Sequence, residues 1–394
     1  MWQQLGQFIK QLFDPQASDH TQSKLPRPLA GPTPSSRQLS PSSTQKSRRP
    51  AEHRWSLKLN KRKLSRYNLP QLANPEALAS WLNIPLGRLF WFTYRQRTDR
   101  VWHYFRFTIP KRTGGERVIL APKAELKAIQ HQILHEILVR VPVHACAHGF
   151  VNGRSIITNA TPHIGQAYVL NLDLKDFFPT ITYARVCGLF SSLGYPLVVA
   201  RELAFLCTTD DRQLETRLID NKKTTLYVSH DINRLVQGAP TSPAISNLIA
   251  RRLDARLDGL ARSLGFTYTR YADDLTFSGP DKGKALRILD VAQRIIAAEG
   301  FVVNQKKTRL YPQSTRQIVT GIVVNEQLST PRQLRRQIRA ILHKARYTGL
   351  ETQNRAGHDD FMAHLVGLIA HVHNVNAEQG QRLLDQVTRR SEGT

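Results

Sequence analysis

The chain has 394 residues, with 56 lysines and arginines against 30 aspartates and glutamates, a formal net charge of +26. That length allows two or three packed units, and 41% apolar with 22% charged residues excludes a wholly disordered polymer. Residues 1–54 carry only +5 of the surplus and the other 340 residues +21, so the charge belongs to the folded body and calls for a polyanionic partner, most simply nucleic acid.

The three cysteines, Cys146, Cys187 and Cys207, form no C-x-x-C pair and support neither a disulfide framework nor a thiolate zinc site. A reducing, cytoplasmic compartment is the expectation. No apolar run approaches the ~20 residues needed to span a bilayer, and the N-terminus lacks the layout of a secretion signal, so no membrane partner is expected.

In chain order, Trp2, Leu5, Ile9 and Leu12 fall at helical spacing, predicting a short amphipathic helix. Residues 14–50 hold seven prolines and eight serines, too few large apolar groups to offset ordering entropy, and read as a flexible linker. Folded sequence is expected from Trp55. A helix is predicted over 75–92, a strand over 101–109, and a glycine hairpin at Gly114-Gly115 leading into Arg117-Val118-Ile119-Leu120. Apolar spacing from Leu126 to Leu138 predicts another helix. Tyr168 to Leu174 reads as an apolar strand ending near Asp173. Ser242-Pro243 reads as a helix start with serine as cap, and residues 266–278 as two strands around Tyr271-Ala272-Asp273-Asp274. Strands and helices interleave, so the class is α/β or α+β.

Adjacent side chains in a strand point to opposite faces, so Asp273 and Asp274 can cooperate only at a turn. A tight hairpin would expose both at its tip, where paired carboxylates suit a hard divalent cation such as Mg²⁺. Asp173 ends a hydrophobic strand, where a charge is costly without a partner. Three such carboxylates could hold two Mg²⁺ ions and clamp both oxygens of a phosphoryl displacement. Nuclease and polymerase both fit that arithmetic.

Further motifs choose between them. Tyr271-Ala272-Asp273-Asp274, the run Asn171 to Pro179, Gln237-Gly238-Ala239-Pro240-Thr241-Ser242-Pro243, Gly300 to Thr308, and Ile109-Pro110-Lys111-Arg112 with Arg117 resemble, in order, five motifs of the reverse transcriptases, over about residues 95 to 375. The resemblance implies an α+β right-hand polymerase fold, with fingers and palm over 55–324, a helical basic thumb over 325–394, and the helix and linker of 1–54 in front. It implies that Asp173, Asp273 and Asp274 are catalytic and bind two Mg²⁺, with the Leu174 carbonyl a further ligand. Lys111, Arg117, Asp176, Phe178, Gln237 and Lys307 would bind the incoming dNTP: Lys111 and Arg117 as a clamp on the triphosphate, Phe178 as a ring excluding a 2′-hydroxyl, Gln237 and Gly238 at the nucleotide and template backbone, and Lys307 as proton donor to pyrophosphate. One departure is Val236, where many relatives carry proline, and residues 208–231 are unusually polar.

Asn159-Ala160-Thr161-Pro162-His163 and Val319-Thr320-Gly321 resemble signatures of bacterial retron reverse transcriptases. That likeness implies that Asn159, His163, Val319, Thr320 and Gly321 act in nucleic-acid binding. From Ser329-Thr330-Pro331 a helix is predicted, with Arg332, Arg335, Arg336, Arg339, His343 and Arg346 on one face and Leu334, Ile338, Ile341, Leu342 and Ala345 on the other. The partners implied are a cognate structured noncoding RNA primed from a guanosine 2′-hydroxyl, its branched RNA–DNA product, dNTPs and an effector protein of an anti-phage system. The alternatives are a non-retron intron-like or defence-associated reverse transcriptase, and a maturase-like RNA-binding protein. His358, Asp359, Asp360 and His364 sit on an ordinary amphipathic pattern and are not read as a zinc site; His131 and His135 read as helix-surface residues.

Overall fold

The computed structural model describes residues 57–94, 98–99, 101–111, 114–219, 222–229 and 231–388. The helix and linker expected within 1–54, and Trp55 and Arg112, lie outside the described residues. Two units are distinguished, and the sequence passes from one to the other at Pro331–Arg332. Val323 and Ser329 exchange backbone hydrogen bonds of 2.8 and 3.1 Å that close the intervening turn.

The larger unit opens with helices α1 (Lys61–Ser65), α2 (Pro75–Trp81) and α3 (Leu86–Thr93). The single helix predicted over 75–92 is therefore two: Asn83 takes a left-handed φ of +54°, and Pro85 caps the second helix, a residue that disfavours helix immediately before it. The short strand β1 (Thr98–Asp99) precedes the hairpin of β2 (Tyr104–Pro110) and β3 (Glu116–Pro122). Strand β2 begins at Tyr104 rather than at 101, and beyond Tyr104 it is exposed on both faces. Helix α4 (Ala124–Ile133) runs into a π-helical turn at Leu134–Leu138, and α5 (Ile156–Ala160) begins on a Ser155–Thr158 capping box.

The sheet that organises the site starts with β4 (Tyr168–Lys175). After α6 (Tyr183–Leu193), α7 (Leu197–Cys207) and the hairpin β5 (Arg212–Ile219)–β6 (Lys222–Ser229) come α8 (Ser242–Ile249) and α9 (Arg251–Ser263). The cap of α8 is Thr241, not Ser242, and Pro243 takes the second helical position; Ser242 is already helical and buried. Strands β7 (Thr267–Tyr271) and β8 (Asp274–Gly279), helix α10 (Lys282–Ala298) and strands β9 (Val302–Val303), β10 (Arg309–Pro312), β11 (Ile318–Val319) and β12 (Ile322–Val323) complete the unit. An antiparallel sheet of order β10-β4-β8-β7 results, with β9 pairing the end of β4. The central strand β4 alternates: Leu170, Leu172 and Leu174 on one face enter one continuous core with Leu275, Phe277, Ile288 and Ile296, while Val169, Asn171 and Asp173 lie on the other.

The second unit holds α11 (Arg332–Thr348), α12 (Phe361–Val375) and α13 (Ala377–Thr388). Ile338, Leu342 and Ala345 of α11 meet Leu365, Ile369 and Leu383 in a separate core. Arg332, Arg336, Arg339, His343 and Arg346 are exposed, and Arg335 is half-buried.

Candidate active site

The register of two strands brings the carboxylates together. In the antiparallel ladder of β4 and β8, Asp173 stands opposite Asp274. Tyr271 pairs with Asp274, which leaves Ala272 and Asp273 as a two-residue hairpin loop. Ala272 has φ of +56° at the first loop position, where such hairpins usually place glycine. The loop is fastened to β4: Leu174 N–H donates to the Asp273 carbonyl at 2.9 Å, and Asn304 N–H donates to the Asp173 carbonyl at 2.7 Å.

Asp173 is buried and its charge is matched. Lys307 Nζ donates to Oδ1 at 2.6 Å and Asn304 Nδ2 to Oδ2 at 3.0 Å. That hydrogen bond, with the charges of all three carboxylates, raises the Lys307 pKa. Burial, then the charge of Asp173, raises Asp273, against lowering by Lys307 and Arg117. Asp274 is exposed at the start of β8, yet desolvation by the protein packed around its carboxyl, with added repulsion from Asp273 and Asp173, pushes it up to about 6. Three oxygen-donor carboxylates, two of them raised by desolvation and by neighbouring carboxylate charge, suit a hard divalent cation. A cavity of about 450 Å³ opens beside Asp173 and Asp274, bordered by Asn171, Lys307, Arg309 and Tyr311.

Lys111 and Arg117 flank the β2–β3 turn, which Gly114 and Gly115 allow at φ of +86° and +79°. Arg117 reaches Asp273 through its charge, while Lys111 is exposed at the strand end. Asp176 is exposed at φ +49°, and Phe178 is half-buried with its ring centroid 6.2 Å from Phe150. The Gln237 carbonyl accepts from Leu120 N–H at 2.8 Å. The close approach at Gly238 (φ +108°) is to the chain's own hairpin: a Cβ there would stand 2.9 Å from the Leu120 carbonyl and from Ile119 Cγ2.

The Asn-Ala-x-x-His and Val-Thr-Gly segments do come together, but inside the protein. His163 is fully buried between Ser278 Oγ (2.6 Å) and Thr269 Oγ1 (2.8 Å), and burial lowers its pKa to about 3. Asn159 is buried with Nδ2 3.5 Å from Thr320 Oγ1, and Thr320 also donates to the Ile156 carbonyl at 3.3 Å. Thr320 and Gly321 form the left-handed turn between β11 and β12, over a buried Val319. The Asn159, His163 and Val319 side chains are thus packed inside the protein, with His163 bridging the neighbouring strands β7 and β8.

Sequence reasoning missed a second tier. Asn304 stands out in the sequence only as one member of the Gly300–Thr308 motif, although it holds Asp173 twice. Arg270, Asp254 and Asn247 form a buried network behind the Ala272 turn, for which the sequence offers only an arginine before a tyrosine. His144, Cys146 and Asp258 bring ligand atoms within 4.8 Å of one another, the only such trio among the described residues. Asp258 is already paired with Arg262, and burial, then the Asp258 charge, pushes the Cys146 thiol up to about 12, so the trio is satisfied as a hydrogen-bonded cluster. His358 and His364 stack at 3.9 Å, and Asp360 caps α12 by accepting from Ala363 N–H at 2.8 Å. His131 and His135 are exposed and stacked at 6.0 Å.

The family described as "Reverse transcriptase (RNA-dependent DNA polymerase)" matches residues 109–351. The Mx65 retron reverse transcriptase of Myxococcus xanthus is 46% identical over 81% of this chain and 72% of its own length. The Mx162 retron enzyme of the same organism is 40% identical, over 81% and 67%. The Ec86 retron reverse transcriptase of Escherichia coli is 32% identical, over 84% and 93%. Among solved structures, telomerase from Candida albicans with a telomeric RNA fragment aligns with a TM-score of 0.42 at 13% identity, over 72% of this chain and 56% of that one.

Proposed function

The chain belongs to the reverse transcriptase family, among its retron members, and is an RNA-directed DNA polymerase; from that premise we propose that it copies part of a cognate structured noncoding RNA into RNA-linked single-stranded DNA, with Asp173, Asp273 and Asp274 as the reacting centre. The observation that carries the residue assignment is the ladder register that sets Asp173 opposite Asp274, with Asp273 in the adjoining turn. Two Mg²⁺ ions held by these carboxylates and the Leu174 carbonyl would neutralise the dNTP triphosphate and acidify the attacking hydroxyl.

The chain's own groups do the rest. Arg117 and Lys111 bind triphosphate oxygens from the glycine hairpin. Phe178 closes the space beside the sugar 2′ carbon, and Asp176 and Gln237 border the nucleotide. Lys307, close to Asp173 and carrying a raised pKa, keeps its proton until leaving pyrophosphate takes it. Thr320 and Gly321 lie at an edge from which RNA could be met, and Arg332, Arg335, Arg336 and Arg339 provide a single-sign stripe for a phosphate backbone. A guanosine 2′-hydroxyl would prime, giving a branched product, within the cytoplasm and together with an effector protein of a defence system. Fingers and palm would span the first unit and the thumb the second, after an N-terminal tether.

Asp273→Asn is expected to abolish dNTP incorporation on an RNA template while RNA binding persists; full incorporation by that variant overturns the catalytic assignment. Sequencing the nucleic acid that copurifies with the protein separates a retron from the alternatives. A 2′–5′ branched RNA–DNA species supports the proposal, whereas linear copies point to an intron-like or defence-associated enzyme.

A further inference from the structure

Behind the carboxylate turn lies a polar network with no solvent exposure at its centre. Arg270 and Asp254 are both 0% exposed. Arg270 Nε and Nη2 donate to the two Asp254 oxygens, each at 2.7 Å, and the Tyr268 hydroxyl donates to Oδ1 at 2.9 Å. That bidentate pair alone balances the buried charge. Arg270 Nη1 is left over, and it donates to Asn247 Oδ1 at 2.9 Å and to the Ala272 carbonyl at 3.1 Å. Asn247 Nδ2 in turn donates to the Gly149 carbonyl at 2.9 Å. Gly149 presses on the same turn from its amide side: a Cβ there would lie 2.5 Å from Ala272 N and 3.1 Å from the Tyr271 carbonyl carbon.

Ala272 is the residue that needs holding. Its φ of +56° is uphill for any residue with a Cβ, and such a conformation persists only where the surroundings over-determine it. We propose that Arg270 and Asn247 are positioning residues, which clamp Ala272 by its carbonyl while Gly149 backs its amide, and thereby fix the directions in which Asp273 and Asp274 present their carboxylates. The inference rests on the reading of those two aspartates as cation-holding groups. It also joins two parts of the site. Asn247 is carried by α8, which starts directly after the Gln237–Thr241 loop, so the loop on the nucleotide side and the carboxylate turn share one buried anchor.

Two substitutions probe the clamp without removing the charge balance. Asn247→Ala breaks the links to Arg270 and Gly149 but leaves the Arg270–Asp254 pair. Arg270→Lys keeps a cation beside Asp254 but cannot fork to Asn247 and Ala272 together. Each full-length variant is compared with the wild type by thermal melting, by Mn²⁺ titration followed by electron paramagnetic resonance, and by steady-state dTTP incorporation on a poly(rA)–oligo(dT) template. Misplacing two carboxylates should weaken Mn²⁺ about tenfold and lower kcat by a similar factor or more, with KM for dTTP within about twofold. A merely structural role would lower Tm and leave the folded protein's Mn²⁺ affinity and kcat at wild-type values, and that result overturns the proposal. If neither variant folds, Gly149→Ala, which pushes on the turn without touching the buried pair, carries the same test. A wild-type protein that fails to incorporate dTTP would count against the polymerase reading, and the Mn²⁺ titration, which needs no turnover, then decides the clamp alone.

Discussion

Asp274 carries a proton more readily in the folded chain than any ordinary surface carboxylate, and the sign of that shift has consequences for stability. Desolvation, with the charges of Asp273 and Asp173, raises its pKa to about 6. A carboxyl whose pKa is raised by folding binds its proton more tightly in the folded state. Its contribution to stability is therefore full below the unfolded pKa and is lost as pH rises through about 6. His163, buried and lowered to about 3, has the opposite slope, costing stability as pH falls below the ordinary imidazole range. The difference between wild type and Asp274→Asn isolates the carboxylate. With chelator present, the wild-type Tm minus the variant Tm should fall from pH 5 to pH 7, and calorimetry at four or five pH values measures it. Divalent cation should remove the fall, because it supplies the positive charge that the proton otherwise brings. A difference independent of pH would refute the raised pKa of Asp274.

At the scale of elements, the hairpin β2–β3 and the loop before α8 behave as one assembly. They are joined by the Leu120–Gln237 backbone bond of 2.8 Å, and Gly238 lies against the hairpin with no room for a side chain. Gly238→Ala is expected to destabilise the protein by about 1–2 kcal/mol, from the positive φ and the backbone contact together. It should also raise KM for dNTP more than it lowers kcat, since the hairpin that carries Lys111 and Arg117 must shift; equal stability and unchanged KM would contradict this. Legibility in the sequence follows the same division between local and distant causes. The strand of β4 and the hairpin around Asp273 were readable because apolar runs and a short loop are properties of neighbouring residues. The break at Asn83–Pro85 carried a signal in its proline, which the apolar spacing over 75–92 masked. His163 was readable as part of a pattern, but not its role, which is set by Ser278 and Thr269 more than a hundred residues away. Arg270 was unreadable for the same reason: its partners come from α8 and α9, and nothing in the spacing of those helices marks Asn247 or Asp254 as inward-facing anchors.

For the whole molecule, the net charge of +26 resolves into cations with different tasks. Some arginines are consumed within the fold: Arg270 on Asp254, Arg212 on Asp210, and Arg262 on Asp258. Lys307 is committed to Asp173. The arginines of α11 are not. Among the described residues Arg332, Arg336, Arg339 and Arg346 form no ion pair, and their crowding is felt by Arg335, whose pKa is lowered by burial and by the charges of Arg339 and Arg332. A helix that concentrates like charges at its own cost, with its apolar face already buried on α12 and α13, gains from a polyanion that disperses the repulsion. If these residues track a phosphate backbone, binding must release about one condensed cation for each neutralised phosphate. Replacing Arg332, Arg336 and Arg339 together by alanine should therefore reduce the magnitude of the slope of log Kd against log salt by about 2 to 3, and weaken binding most at low salt. Because all three side chains are exposed, helix content and Tm should stay near wild type, so a change in slope cannot be ascribed to unfolding. Titrating structured RNA into both proteins across a range of salt concentrations measures this, and an unchanged slope would move the grip on RNA from this stripe to the other cations of the surface.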